Sequence, residues 1–134
     1  MARIIYAEDD KLIGELVQTV LMDSGHAVGV VPDGKAALAA LALRRPDLLI
    51  LDMSMPEMTG SQVLDKVRRD PSLYDLPVLI ITARTSKADE TIARSAGATE
   101  YLRKPFDPDE LVVIVERLLA HRPARSNNKA VRPI

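Results

Sequence analysis

Residues 48–60 read Leu48-Leu49-Ile50-Leu51-Asp52-Met53-Ser54-Met55-Pro56-Glu57-Met58-Thr59-Gly60, and the opening of this stretch decides the fold. Four consecutive large aliphatic residues leave no polar face, as in a strand covered on both sides. Four further runs read as short strands: Ile4–Ala7, Ala27–Val31, Pro77–Ile81 and Thr99–Leu102. Between them the apolar residues recur at helical spacing. Leu12, Ile13, Leu16, Val17, Val20 and Leu21 form the first such stretch, with Gly25 where a C-terminal cap belongs. Asp33 opens a second over Ala36–Leu43, and Gly60 opens a third through Val63, Leu64 and Val67. The fourth, about residues 86–96, starts with the capping-box spacing Ser86-x-x-Asp89. Its one large apolar residue, Ile92, predicts the least firmly anchored helix. The fifth begins Asp107-Pro108-Asp109-Glu110, which supplies an N-cap, a first-turn proline and acids at the positive end of the helix dipole.

Five strand–helix units in alternation imply a parallel sheet with helices on both faces, a doubly wound α/β fold. Such sheets bind ligands at the carboxyl ends of their strands. The 134 residues make one domain, and 47% apolar with 28% charged residues is the balance of a soluble globular chain. With no cysteine, a thiolate nucleophile, a Cys-ligated zinc site and a disulfide scaffold are excluded. His26 and His121 are not placed together by any spacing. His26 reads as structural, and His121 suits the end of the last helix. Residues 1–120 hold 14 Lys and Arg against 19 Asp and Glu, while the last fourteen hold Arg122, Arg125, Lys129 and Arg132 and no acid. A domain of negative sign is poorly suited to a phosphate backbone, so direct DNA binding is not expected. No secretory signal and no membrane span fit, which points to the cytoplasm. Residues 1–121 are read as the folded domain, and 122–134 as a basic disordered tail or truncated linker.

The carboxyl ends of the strands carry the chemistry. The first strand runs into Glu8-Asp9-Asp10, the third ends at Asp52, the fourth at Thr82, and the fifth leads to Lys104-Pro105. Asp10 is expected to cap the first helix rather than bind metal. Two unit charges about 4 Å apart repel by about 4 kcal/mol at an effective dielectric of about 20. Either a carboxyl takes up a proton or a cation joins the acids. An all-oxygen set with vacancies for water or phosphate suits Mg²⁺. A carboxylate is also a nucleophile that needs no base at neutral pH.

Glu8-Asp9 after an apolar strand, Leu48-Leu-Ile-Leu-Asp52-Met-Ser-Met-Pro56-x-Met-x-Gly60, Thr82-Ala83 and Lys104-Pro105-Phe106 occur in this order. Together they resemble receiver domains of two-component response regulators, over about residues 2–120. The resemblance implies a flavodoxin-like sheet of strand order 2-1-3-4-5 and a phosphoacceptor switch rather than a conventional enzyme. It implies that Asp52 accepts a phosphoryl group from a phosphohistidine on a histidine kinase or histidine phosphotransfer protein. Asp9 would ligate Mg²⁺, with Asp52 and the Ser54 backbone carbonyl. Glu8 would act mainly through a bound water. Thr82, Ala83 and Lys104 would bind the phosphoryl oxygens, Pro105 would follow a cis bond, and Tyr101 would swing inward when Thr82 moves. Ser54 stands where many members have Asn, and Arg84 lies two residues after Thr82.

Two other functions use similar pieces. A haloacid dehalogenase-type phosphatase needs a second Asp two residues after the nucleophile, where this chain has Ser54. A flavin-binding electron carrier needs a Ser, Thr and Gly-rich phosphate loop where this chain has three acids. A receiver that never takes phosphate would lack one of the required side chains, and all are present. Met53, Met55 and Met58 read as gap-fillers. Leu111–Val115 exceeds the stripe that one helix buries, so Val112 and Val113 are expected to face outward. With Ile92 and Tyr101 they mark an output surface for a downstream protein or a homodimer. No output domain is expected after residue 121.

Overall fold

Strand and helix alternate five times in the computed structural model, which describes residues 1–83 and 87–123. The elements are β1 (Arg3–Ala7), α1 (Lys11–Asp23), β2 (Ala27–Val31), α2 (Gly34–Leu43), β3 (Leu48–Asp52), α3 (Gly60–Arg69), β4 (Val78–Thr82), α4 (Lys87–Ser95), β5 (Glu100–Arg103) and α5 (Pro108–Ala120). The strands form one parallel sheet in the order β2-β1-β3-β4-β5. Every residue of β3 and β4 is buried, because helices cover both faces. Alternation along the strands divides the core. Ile4, Tyr6, Leu48, Ile50, Leu79 and Ile81 pack with α1 and α5. Ile5, Ala7, Leu49, Leu51, Val78, Ile80 and Tyr101 pack with α2, α3 and α4. Each aliphatic side chain so buried stabilises the fold by about 1.5–3 kcal/mol.

The strands end later than the apolar runs, at Asp52, Thr82 and Arg103. β4 starts at Val78 rather than Pro77, whose carbonyl still accepts the Leu49 amide at 3.0 Å. The Asp10 carboxylate caps α1, accepting the amides of Leu12 and Ile13 at 2.9 and 3.1 Å. Gly25, at φ +96°, turns the chain after α1. Asp33 caps α2 and Asp107 caps α5. Thr59 and Gln62 close a capping box on α3 that the sequence reading passed over.

Two expectations change, one on α1 and one on α5. Leu12 and Leu16 are 77% and 46% exposed, since the sheet and α5 cover only one stripe of α1, centred on Val17 and Leu21. Helix α4 is held by Ala93, fully buried, while Ile92 points outward at 62% exposure. On α5 Val113 faces out, but Val112 is half-buried. The Ser86 cap, Arg84 and the basic stretch from residue 124 onward lie outside the described residues.

Candidate functional site

Ala7 of β1 pairs with Leu51 of β3, so the next residues outward, Glu8 and Asp52, emerge side by side at the carboxyl edge. Asp52 is in register with Ile81, which brings Thr82 of β4 to the same edge. Beyond β5 the Lys104 amide donates to the Thr82 carbonyl at 2.8 Å, and the Lys104–Pro105 peptide is cis. Among the described residues the buried carboxylate and aliphatic hydroxyl side chains are Glu8, Asp52 and Thr82, and all three lie here.

Lys104 bridges the acids. Its Nζ lies 2.9 Å from Glu8 Oε1 and 3.3 Å from Asp52 Oδ2. Glu8 also accepts the Tyr6 hydroxyl at Oε1 and the Asp10 amide at Oε2, at 2.5 and 3.2 Å. Asp52 Oδ1 accepts the Ser54 amide at 3.0 Å. Burial works against the Glu8 carboxylate, but donors from Tyr6, Lys104 and Asp10 outweigh it and hold the group below its ordinary range. Asp52 carries the cost of crowding. Burial, then contact with the Glu8 carboxyl, pushes it up to about 6 against the Ser54 amide and Lys104 charge that lower it. Burial would depress Lys104, yet Glu8 and Asp52 hold it above its ordinary value.

Glu8, Asp9 and Asp52 each offer a carboxylate oxygen, and these oxygens lie within 4.8 Å of one another. Asp9 is exposed, so a cation there meets protein on one side and water on the other. A set of hard oxygen donors with open positions fits a small divalent cation that keeps several waters. Gly60 lets α3 approach the loop: a Cβ there would stand 2.5 Å from the Asp52 carbonyl oxygen and 2.9 Å from Met53 Cα. Met55 is buried beneath the loop, and Met53 and Met58 are partly packed, as fillers.

The structure thus joins Glu8, Asp9, Asp52, Ser54, Thr82 and Lys104. Tyr101 is buried on the α4 side of the sheet, and Ala83 is exposed beside Thr82. His26 stands apart: its Nδ1 accepts the Ala2 amide at 3.1 Å and its Nε2 meets Glu116 at 2.6 Å, a structural tie between the residue preceding β1 and α5. Sequence reasoning missed Tyr6, although strand alternation places it on the same face as Glu8.

The response regulator receiver domain family matches residues 4–116. This chain belongs to that family. The receiver is 37% identical over 117 residues to the DNA-binding response regulator MtrA of Mycobacterium tuberculosis, covering 87% of this chain and 50% of MtrA. It is 38% identical over 117 residues to the response regulator MprA of Mycobacterium leprae, with the same coverage of both chains. The chain spans about half the length of the curated relatives it matches. Among solved structures, the receiver domain of Francisella response regulator 1452 superposes with a TM-score of 0.84 at 30% identity, over 90% of this chain and 98% of that one. The chemotaxis response regulator CheY4 of Vibrio cholerae gives 0.83 at 34% identity, over 88% and 98%. Membership in a regulatory family sets aside the phosphatase and the flavin carrier. No helix among the described residues is long and apolar enough to cross a membrane.

Proposed function

We propose that the chain is a phosphoacceptor switch in which Asp52 takes a phosphoryl group from a phosphohistidine of a histidine kinase or histidine phosphotransfer protein. One observation carries this reading: Lys104 bridges the buried Glu8 and Asp52 carboxylates at one strand edge of a receiver fold, and the buried Thr82 ends the neighbouring strand at the same edge. An Asp52 carboxylate oxygen attacks phosphorus in line. The bond from phosphorus to the donor imidazole nitrogen breaks, an acyl phosphate forms, and the nitrogen keeps the electron pair and takes up a proton. Glu8, Asp9 and Asp52, with the Ser54 backbone carbonyl, would hold Mg²⁺, which when bound neutralises charge on the transferred phosphoryl oxygens.

The acyl phosphate adds roughly 1.5 to 2 negative charges beside Glu8, taking the figure for phosphorylated hydroxyl residues. Lys104 turns from the carboxylates to a phosphoryl oxygen, the Thr82 hydroxyl donates to another, and the Ala83 amide helps to hold the group. Movement of Thr82 draws on Tyr101 and on α4, whose hold on the core is the single buried residue Ala93. A population shift then alters the face formed by α4, β5 and α5, where Ile92 and Val113 are exposed and Val112 is half-buried. That face meets a downstream protein partner or a second copy of the chain. Residues 1–121 act as the receiver and 122–134 as a linker or tail, working in the cytoplasm. MtrA is named as a DNA-binding regulator and the match covers half of it, so the expected lack of direct DNA contact applies to the receiver alone.

Incubation with Mg²⁺ and a small-molecule phosphodonor, followed by intact-mass measurement, tests the proposal. The wild-type chain is expected to gain one phosphoryl group and Asp52→Asn none. Equal gain by both, or no gain by either, contradicts it.

A further inference from the structure

Glu8 has two oxygens, and their donors are of different kinds. Oε2 takes the Asp10 amide. Oε1 takes both the ammonium of Lys104 and the hydroxyl of Tyr6. Lys104 is a flexible side chain, 18% exposed and able to leave. Tyr6 is fully buried near the carboxyl end of β1, on the face packed by α1 and α5, and its ring is fixed there. A phenylalanine would fill that space without bringing a polar group into the core, and a buried hydroxyl costs stability unless it is bonded. The bond it makes reaches the acidic edge.

In the phosphorylated state described above, Lys104 departs just as a second anionic group arrives beside Glu8. Oε1 then keeps one donor, the one that cannot move. We propose that Tyr6 is a positioning residue, whose hydroxyl holds the Glu8 carboxylate at the cation site while Lys104 exchanges between Glu8 and the phosphoryl group. This rests on reading Asp52 as the phosphoacceptor and the three acids as a divalent-cation site. Removing the hydroxyl leaves Glu8 freer to follow Lys104 or to turn toward Asp52, and the cation then meets a less ordered ligand set.

The test is a double-mutant cycle with Tyr6→Phe and Glu8→Gln, reading Mg²⁺ affinity of the unphosphorylated full chain by calorimetry and phosphorylation rate by intact mass. Y6F is expected to weaken Mg²⁺ binding by about tenfold. Its phosphorylation should slow by a similar factor at low Mg²⁺ and recover when Mg²⁺ saturates. In the E8Q background Y6F should change Mg²⁺ affinity hardly at all, because Tyr6 acts through Glu8. Unchanged Mg²⁺ affinity in Y6F, or effects that multiply in the double variant, would show Tyr6 to be core filling only. Should Y6F fail to fold, 3-fluorotyrosine labelling of the wild-type chain reads the same bond, since its three tyrosines give separable fluorine signals. The Tyr6 signal is expected to shift on adding Mg²⁺ and again on phosphorylation, and a signal that stays still overturns the proposal. Wild-type protein that binds Mg²⁺ but gains no phosphoryl group would overturn the phosphoacceptor reading, while the calorimetric cycle still scores Tyr6.

Discussion

Lys104 Nζ lies 3.3 Å from Asp52 Oδ2, joining residues that are 52 positions apart in the chain. The same ammonium also pairs with Glu8, so it is the cation that makes this acidic edge tolerable before any metal arrives. Lys104→Met removes it and leaves two buried carboxyls without their shared positive charge. In chelator the variant is expected to be about 2 kcal/mol less stable than wild type. Added Mg²⁺ should restore more stability to K104M than it adds to wild type. Thermal unfolding with and without Mg²⁺ checks both statements, and equal Mg²⁺ gains in the two proteins would contradict them.

Asp52 and Glu8 titrate in opposite directions, which separates their pH windows. The folded protein raises Asp52 to about 6 from 3.8, so between these values the native state binds more protons than the unfolded one. Stability from this group is therefore present below about pH 4 and is lost as pH rises through about 6. Glu8 is held low, so its contribution is present above its ordinary value of 4.5 and is lost as pH falls through the depressed value. In chelator at pH 7 to 8, Asp52→Asn should be more stable than wild type, on the order of 2 kcal/mol. The gap should narrow as pH falls from about 6 to about 4. Denaturant unfolding across this range measures it, and a gap independent of pH would remove the basis for a strained Asp52.

Gly60 is a position where bulk and site geometry meet. The Cβ of an alanine would strike the backbone of Asp52 and Met53, which cannot turn aside as a flexible side chain can. Gly60→Ala is expected to cost about 1–3 kcal/mol by forcing α3 away from the loop. It should also slow phosphorylation of Asp52 more than an alanine substitution elsewhere on α3, such as Ser61→Ala. Unfolding and phosphorylation rates measured together distinguish this from general destabilisation.

Arg68 supports the fold without touching the site. Its guanidinium donates to the carbonyls of Gly97, Tyr74 and Leu76 at 2.9, 3.0 and 2.7 Å, tying α3 to the loops that precede β4 and β5. Arg68→Ala should lose about 2 kcal/mol of stability. Arg68→Lys should recover little of it, since an ammonium cannot reproduce the planar fork. Phosphorylation of Asp52 in folded R68A should stay near the wild-type rate. Failure of that last expectation would make Arg68 part of the site's support.

What the sequence carries most clearly is what is local. Leu48–Leu51 has no polar face, so β3 had to be central, and Asp10, Asp33 and Asp107 stand where helix starts need acceptors. Asp52 was legible because an acid directly after such a strand has few bland explanations. The missed features depend on partners far away in sequence. Tyr6 reads as core until Glu8 is placed above it on the same face, and Arg68 reads as one of three basic residues ending α3 until the fold brings Gly97 and Leu76 to it. Leu12 and Leu16 read as core because periodicity does not say how wide a stripe the sheet will cover. Ala93 outranks Ile92 in holding α4 for the same reason: position on the helix, not size, decides which side chain is buried.

The central claim is chemical and concerns one atom pair, a phosphorus bonded to an Asp52 carboxylate oxygen. Borohydride reduction of the phosphorylated chain converts an acyl phosphate on aspartate to homoserine, and peptide mass spectrometry then locates it. The account predicts homoserine at position 52 and unmodified Glu8 and Asp9. Modification at Glu8, Asp9 or any residue other than Asp52 would contradict it.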